Sequence, residues 1–244
     1  MKILFAGPSL HGSTVNLSGL EVVPPAKQGD LLKAVEAGAR AIGLVDGEFG
    51  QHAAVWHKEI LFALHGGVAV LGASSMGALR AAECAGFGMQ PVGVIAHAYI
   101  AGTLDDDAAV ALLMAPAEQG YAPLTEPLVD VVATLAALEK IGLIATNQHA
   151  DLLDHAGAIH FALRTDDAIF DGVAEGLQLL TLYRAHRVSQ KRLDAERLAE
   201  LLRGLDVDTE PARPSFALSQ SPYWKQRFAI AREMTNVPQT VSGL

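Results

Sequence analysis

Residues 68–80, with the sequence VAVLGASSMGALR, predict a β-strand that turns directly into a helix. The apolar run VAVL is typical of a buried strand, and small residues follow it where a sharp bend leaves little room for side chains. The bend has the pattern small-x-Ser-x-Gly, a relaxed nucleophile elbow with Ser75 at its tip. The N–H groups of Met76 and Gly77 would open the helix and could hold an oxyanion. Alternatively, Ser74 and Ser75 only cap that helix.

Strands and helices alternate along the first part of the chain, which predicts an α/β fold with a mainly parallel five-stranded sheet and flanking helices. Later residues favour helices, so we expect an α/β core over residues 1–145. A helical C-terminal region, 146–244, either stands apart or packs with the core as one domain. The predicted strands are 2–6, 21–23, 41–45, 68–71 and 92–96, and the predicted helices are 29–39, 53–65, 76–85, 108–114, 128–144, 167–187, 190–205 and 223–234.

Composition excludes several classes of protein. Half of the 244 residues are hydrophobic and only 18% are charged, which provides a core and argues against disorder. The formal net charge of −9 is unlike that of a nucleic-acid-binding protein. The basic residues Arg184, Arg187, Lys191 and Arg192 form either a solvated helix face or a contact for an acidic protein partner. We expect no disulfide framework from the single cysteine, Cys84, no signal peptide, no membrane span, and a cytoplasmic location.

Polar residues follow three of the predicted strands, at the sheet edge where α/β proteins place their sites. Asp46 follows the third strand, Ser75 the fourth and Ser9 the first. Lys58 lies early in the helix before the Ser75 strand, where the helix dipole and partial burial would lower its pKa. It could then deprotonate Ser75. The alternative is a surface lysine paired with Glu48 or Glu59.

Other polar residues have secondary roles in this hypothesis. His57 and Asp46 could orient Lys58. Arg80, one helical turn from Met76, either anchors an anionic substrate or forms an ion pair with Glu83 or Asp46. His57 has no second ligand at metal-binding spacing, and capping explains the acidic run 105–107 more simply than Mg²⁺ binding. Because neither a Walker loop nor a G-x-G-x-x-G motif is present, we expect no metal and no cofactor.

An ordered set of short motifs resembles the TfuA-like family over roughly residues 3–145. The matching stretches are PPAKQGD (24–30), IGLVDGEF (42–49), VWHKEI (55–60), GASSMGALRAAE (72–83), GM (88–89), DDD (105–107) and PAEQGY (116–121). The sequence departs from the family pattern at Ala108 and Ala109, where an acidic residue is usual, and around 129–134, where an Asn/Arg pair is missing. These departures concern partner contacts more than chemistry.

The resemblance implies a role beside YcaO-type enzymes, which install thioamides in peptide backbones. Such proteins take sulfur from a thiocarboxylated, ubiquitin-like carrier protein and help the YcaO enzyme bind its peptide substrate. The implied chemistry is cleavage of a C-terminal thiocarboxylate by a Ser–Lys pair, here Ser75 and Lys58. The alternative is a non-catalytic adaptor that enhances peptide binding by the YcaO enzyme. A generic serine esterase is disfavoured because no histidine stands where a triad member is expected.

Overall fold

One parallel sheet organises the molecule, confirming the predicted α/β class. The structure, a computed structural model, describes residues 1–48, 52–207, 216–219, 221, 222, 224 and 226. Five parallel strands lie in the order β2-β1-β3-β4-β5. In this order the winding reverses between β1 and β3, and clefts form there at the carboxyl ends of the strands. The strands are β1 (Lys2–Phe5), β2 (Glu21–Val23), β3 (Ala41–Leu44), β4 (Ala69–Gly72) and β5 (Gln90–Pro91).

Helices cover both faces of this sheet. On one face, strand residues such as Ile42 and Leu44 pack with residues of α1, α2 and α3. The helices are α1 (Asp30–Glu36), α2 (His57–His65), α3 (Met76–Cys84), α4 (Gly93–Ala101), α5 (Leu128–Lys140), α6 (Thr146–Ala158), α7 (Asp166–Phe170), α8 (Gly176–Ala185) and α9 (Gln190–Gly204). Buried residues of α5 to α8 form a separate cluster that includes the fully buried Tyr183.

The opposite face of the sheet is covered by α9, from the predicted C-terminal region. Its residues Leu198 and Leu202 pack in one cluster with Leu4 of β1 and Leu71 of β4. Gly43, in the middle of β3, permits this approach, since a Cβ there would lie 2.6 Å from Leu198 Cδ2. The C-terminal region therefore supplies part of the core of the sheet.

The predicted strand 92–96 is wrong, because α4 begins at Gly93 and β5 is limited to Gln90–Pro91. The β-branched residues of this segment favour a strand, but a carboxylate far along the chain caps a helix instead. Asp194 of α9 accepts hydrogen bonds from Val94 N (3.0 Å) and Ile95 N (2.8 Å). Two orphan N–H groups of α4 are thereby satisfied.

The predicted helix 108–114 is also wrong. Asp106 caps only a short 3₁₀ turn, Asp107–Ala109, and the chain then pairs with residues that return beside it. Met114 forms an antiparallel bridge with Pro123, and Leu124 N donates to Leu113 O (2.8 Å). These non-local hydrogen bonds replace those of a helix and leave 110–116 as the wall of a cleft.

The remaining helices differ from the prediction in their boundaries. The predicted helix 167–187 is divided into α7 and α8, and 128–144 ends earlier, at Lys140. Helix α6 was not predicted, and the predicted helix 223–234 lies mostly outside the described residues. None of the described helices is long and apolar enough to cross a membrane.

Candidate active site

Ser75 lies at the sharp turn predicted from the sequence, between the end of β4 and the start of α3. It is only 3% exposed, and the preceding Ser74 has the left-handed φ of +68°. Such a conformation is uncommon for a residue other than glycine and costs free energy. Gly77 lets the first turn of α3 lie against β3, because a Cβ there would be 1.8 Å from Leu44 O.

The same close approach uses one of the two predicted oxyanion donors. The Gly77 N–H donates to Val45 O at 3.1 Å, so it is not free in this structure to hold an oxyanion as predicted. The Met76 N–H has no acceptor among the described residues. The N–H of Gly47 likewise has none among them, and Gly47 lines the same cleft as Ser75. Met76 follows Ser75 directly in the chain and Gly47 lines its cleft, so both are candidate backbone donors for an oxyanion.

A lysine does contact Ser75, and it is Lys191 at the start of α9. Its Nζ donates to Ser75 Oγ at 3.1 Å and to Val110 O at 2.7 Å. Lys191 is 2% exposed, and this burial lowers the pKa of its ammonium below the ordinary lysine value. The carboxylates of Asp46 and Asp130 oppose that shift. A buried lysine with a lowered pKa is suited to act as a base.

Lys58, the predicted partner of Ser75, lies elsewhere. Its Nζ is 5.8 Å from the centroid of the Trp224 ring, a distance that allows a cation–π contact. Trp224 packs with Leu32, Trp56 and Phe62. Lys58 is thus placed beside an aromatic cluster, and the predicted pairing with Ser75 is corrected to Lys191. The lysine beside Ser75 thus comes from α9, on the face of the sheet opposite to α2.

Asp46 and two serines form a buried hydrogen-bond chain next to the pair. Ser74 Oγ donates to Ser9 Oγ (2.8 Å), which donates to Asp46 Oδ1 (2.6 Å). Asp46 Oδ2 also accepts from Gly7 N (2.8 Å) and Ser9 N (3.0 Å). The structure therefore brings together the three polar residues predicted at strand ends, and Asp46 holds Ser9 and Ser74 rather than orienting Lys58.

Arg80 on α3 and His57 on α2 both contact Glu83. Arg80 Nη1 contacts Glu83 Oε2 at 2.6 Å, and His57 Nε2 contacts the same oxygen at 2.8 Å. Arg80 Nε also donates to Val55 O. Neither side chain lines the cleft that contains Ser75. For Arg80, the structure favours the ion-pair interpretation over that of a substrate anchor, and His57 contacts Glu83 rather than Lys58.

The cleft over Ser75 and Lys191 has a volume of about 410 Å³ and an open mouth. Its wall is the chain segment 110–116, and its floor includes the ends of β3 and β4. Among the described residues, no three His, Cys, Asp or Glu side chains gather to hold a metal ion. The residues that line it are Pro8, Asp46, Gly47, Glu48, His52, Ser75, Val110, Leu112, Leu113, Met114, Ala115, Pro116, Tyr121 and Lys191.

Lys191 was predicted to lie on a solvated or partner-contacting helix face, although the sequence carries a signal for its burial. Lys191 precedes Ala195, Leu198 and Leu202 at intervals of four, three and four residues. This spacing places all four on one face of a helix. Because the other three are apolar, the pattern indicates that Lys191 lies on the buried face of α9. It does not indicate which residue of the sheet Lys191 contacts.

Comparison with known protein families agrees with the motifs. No match is found among curated proteins. The model of one protein family, described as TfuA-like protein, matches residues 46–165. The matched stretch begins at Asp46 and includes the Ser75 turn and the cleft wall 110–116. The chain belongs to the TfuA-like family.

Proposed function

We propose that this protein is a Ser–Lys hydrolase that cleaves the C-terminal thiocarboxylate of a ubiquitin-like sulfur carrier, with Ser75 as nucleophile and Lys191 as base. Membership in the TfuA-like family supports involvement in the YcaO-associated thioamidation system. The observation that carries the proposal is the 3.1 Å contact between Lys191 Nζ and Ser75 Oγ in a buried position beside an open cleft. The sulfur released would serve thioamidation of a peptide by the YcaO enzyme.

In the first half of the reaction, neutral Lys191 accepts the hydroxyl proton as Ser75 Oγ attacks the thiocarboxylate carbon. The carbon–sulfur bond then breaks and leaves an acyl ester on Ser75. Lys191 returns its proton to the sulfur, which departs as HS⁻. The lowered pKa of Lys191 favours this role, since an ordinary lysine is almost fully protonated near neutral pH.

In the second half, water attacks the ester and Lys191 again accepts a proton. The products are the carrier carboxylate, free Ser75 and a proton, so the overall reaction is RCOS⁻ + H₂O → RCOO⁻ + HS⁻ + H⁺. Negative charge develops on the substrate oxygen in both halves. In this proposal the ammonium of Lys191 and the N–H groups of Met76 and Gly47 stabilise that charge.

The decisive experiment has two readouts. Sulfide release from a thiocarboxylated carrier is measured directly, and mass spectrometry of the acid-quenched protein detects the acyl adduct on Ser75. Ser75→Ala should abolish both sulfide release and the acyl adduct, because it removes the attacking oxygen. Ser18→Ala, at an exposed position, is the matched control and should behave as the unmodified protein. Full sulfide release by folded Ser75→Ala protein would contradict the proposal that Ser75 is the nucleophile of a hydrolase. If neither the unmodified protein nor its variants release sulfide but they bind the YcaO enzyme, the protein is the non-catalytic adaptor.

A further inference from the structure

A second, smaller cleft lies on the other side of Lys191. Its volume is about 220 Å³, and it shares Pro8, Leu112 and Lys191 with the cleft over Ser75. Ser75 itself does not line it. Its lining also includes Asp130, Arg187, Ser189 and Arg192. The two clefts are neighbours, with the buried Lys191 side chain between them.

Two arginines lie at the second cleft, although the whole chain has a formal net charge of −9. Arg187 and Arg192 both line it. Arg187 forms an ion pair with Glu126, whereas Arg192 has no carboxylate partner among the described residues. Leu112, Pro123 and Pro127 supply apolar parts of the wall of this cleft, beside which an ion pair is stronger than in bulk water.

One acidic residue, Asp130, lines this cleft within the described part of the chain, and its oxygens are already used. Oδ1 accepts from Lys191 N at 2.9 Å, and Oδ2 accepts from Ser189 Oγ at 2.8 Å. Asp130 therefore holds the first turn of α9 in place. It leaves the Arg192 guanidinium available for a carboxylate from outside the molecule.

We propose that the second cleft is a carboxylate-binding subsite in which Arg192 is the principal ligand. The planar guanidinium donates two parallel hydrogen bonds to a carboxylate, a geometry that other cations do not provide. This inference rests on the proposed function in one respect only. With the reacting thiocarboxylate at Ser75, an acidic side chain near the end of the carrier would occupy the adjacent subsite. A small free carboxylate has the same chemistry.

Probe binding tests the subsite without catalysis. Acetate and N-acetylglutamate N-methylamide are titrated against the isotope-labelled protein at constant ionic strength, with N-acetylglutamine N-methylamide as the neutral control. We expect saturable NMR shifts of the Ser189 and Arg192 amides with the two carboxylates alone. Arg192→Gln should weaken binding about tenfold. Arg197→Gln is the control on the same helix, exposed and paired with Glu200, and should bind as the unmodified protein.

A second measurement identifies the source of the carboxylate. The carrier is titrated against Ser75→Ala protein with and without Arg192→Gln, so that no turnover occurs. Weaker carrier binding identifies an acidic side chain of the carrier, and unchanged carrier binding together with acetate binding identifies a free carboxylate. Two results would contradict the proposed subsite. One is the absence of saturable NMR shifts with the carboxylates, and the other is equal shifts in the Arg192→Gln and Arg197→Gln proteins. Neither result depends on whether Ser75 releases sulfide.

Discussion

Lys191 Nζ lies 3.1 Å from Ser75 Oγ, although 116 residues separate the two in sequence. Ser75 is held by the turn between β4 and α3, and Lys191 by the first turn of α9. Because α9 packs across β1, β3 and β4, the sheet itself fixes the separation between nucleophile and base. The C-terminal region is therefore part of the candidate site and not only an attachment to it.

Replacing each lysine in turn should show which one serves Ser75. Lys191→Met should reduce sulfide release from a thiocarboxylated carrier by at least about 100-fold, as expected for loss of a general base. The fold should persist, because an apolar side chain of similar length replaces a buried cation whose desolvation is costly. Lys58→Met, the matched control, should retain nearly full activity. The opposite ranking of the two variants would restore Lys58 as the base.

The pH dependence of kcat/KM should reflect the neutral form of Lys191. Burial disfavours the ammonium and lowers its pKa, so activity should rise with pH through a pKa below the ordinary value of about 10.4. Stopped assays of sulfide release across the alkaline range measure this rise of kcat/KM with pH, the alkaline limb. The residual activity of Lys191→Met protein should lack it. A limb unchanged by that substitution would assign the titrating group to another residue.

Gly77→Ala should destabilise the fold by about 1–3 kcal/mol, the usual cost of overpacking. The added Cβ would lie 1.8 Å from Leu44 O, so α3 would have to move away from β3. Urea denaturation compares the free energies of unfolding. Gly86→Ala, in the turn Ala85–Phe87, is the control, because its added Cβ meets no atom within 4 Å. Equal stability of the two variants would contradict this tight packing.

Glu59 should make the fold less stable as pH rises from about 5 to 7. Its carboxylate accepts from Gly29 N, and burial raises its pKa to about 7. The folded protein therefore retains a proton that the unfolded chain loses near pH 4.5. Stability is highest below that range and falls by up to about 3 kcal/mol across it.

Glu59→Gln provides the comparison for this prediction, because the amide does not titrate and keeps an acceptor oxygen for Gly29 N. Urea denaturation at several pH values gives the free energy of unfolding of both proteins. The difference between them should change across pH 5–7 and be constant outside that range. A constant difference throughout would show that Glu59 titrates normally in the folded protein.

Local sequence patterns were sufficient to predict much of the fold. The runs that precede Ser9, Asp46 and Ser75 are apolar and short, and polar or small residues follow each of them, which is how buried parallel strands end. The turn at Ser75 was also predictable because Gly72, Ala73 and Gly77 permit a close strand-to-helix approach. The helical structure of segment 92–96 was not predictable, because the residue that caps it, Asp194, comes from a helix about one hundred residues later.

The sequence by itself determined the parallel sheet, the position of Ser75 at the end of β4, and the gathering of Ser9 and Asp46 at the same edge. These follow from residue periodicity and from the rule that parallel strands share one carboxyl edge. Only the tertiary structure decided that Lys191 is the partner of Ser75 and that the Gly77 N–H is already used. Both depend on how α9 and α3 pack against the sheet, and periodicity shows which face of a helix is buried without showing what it contacts.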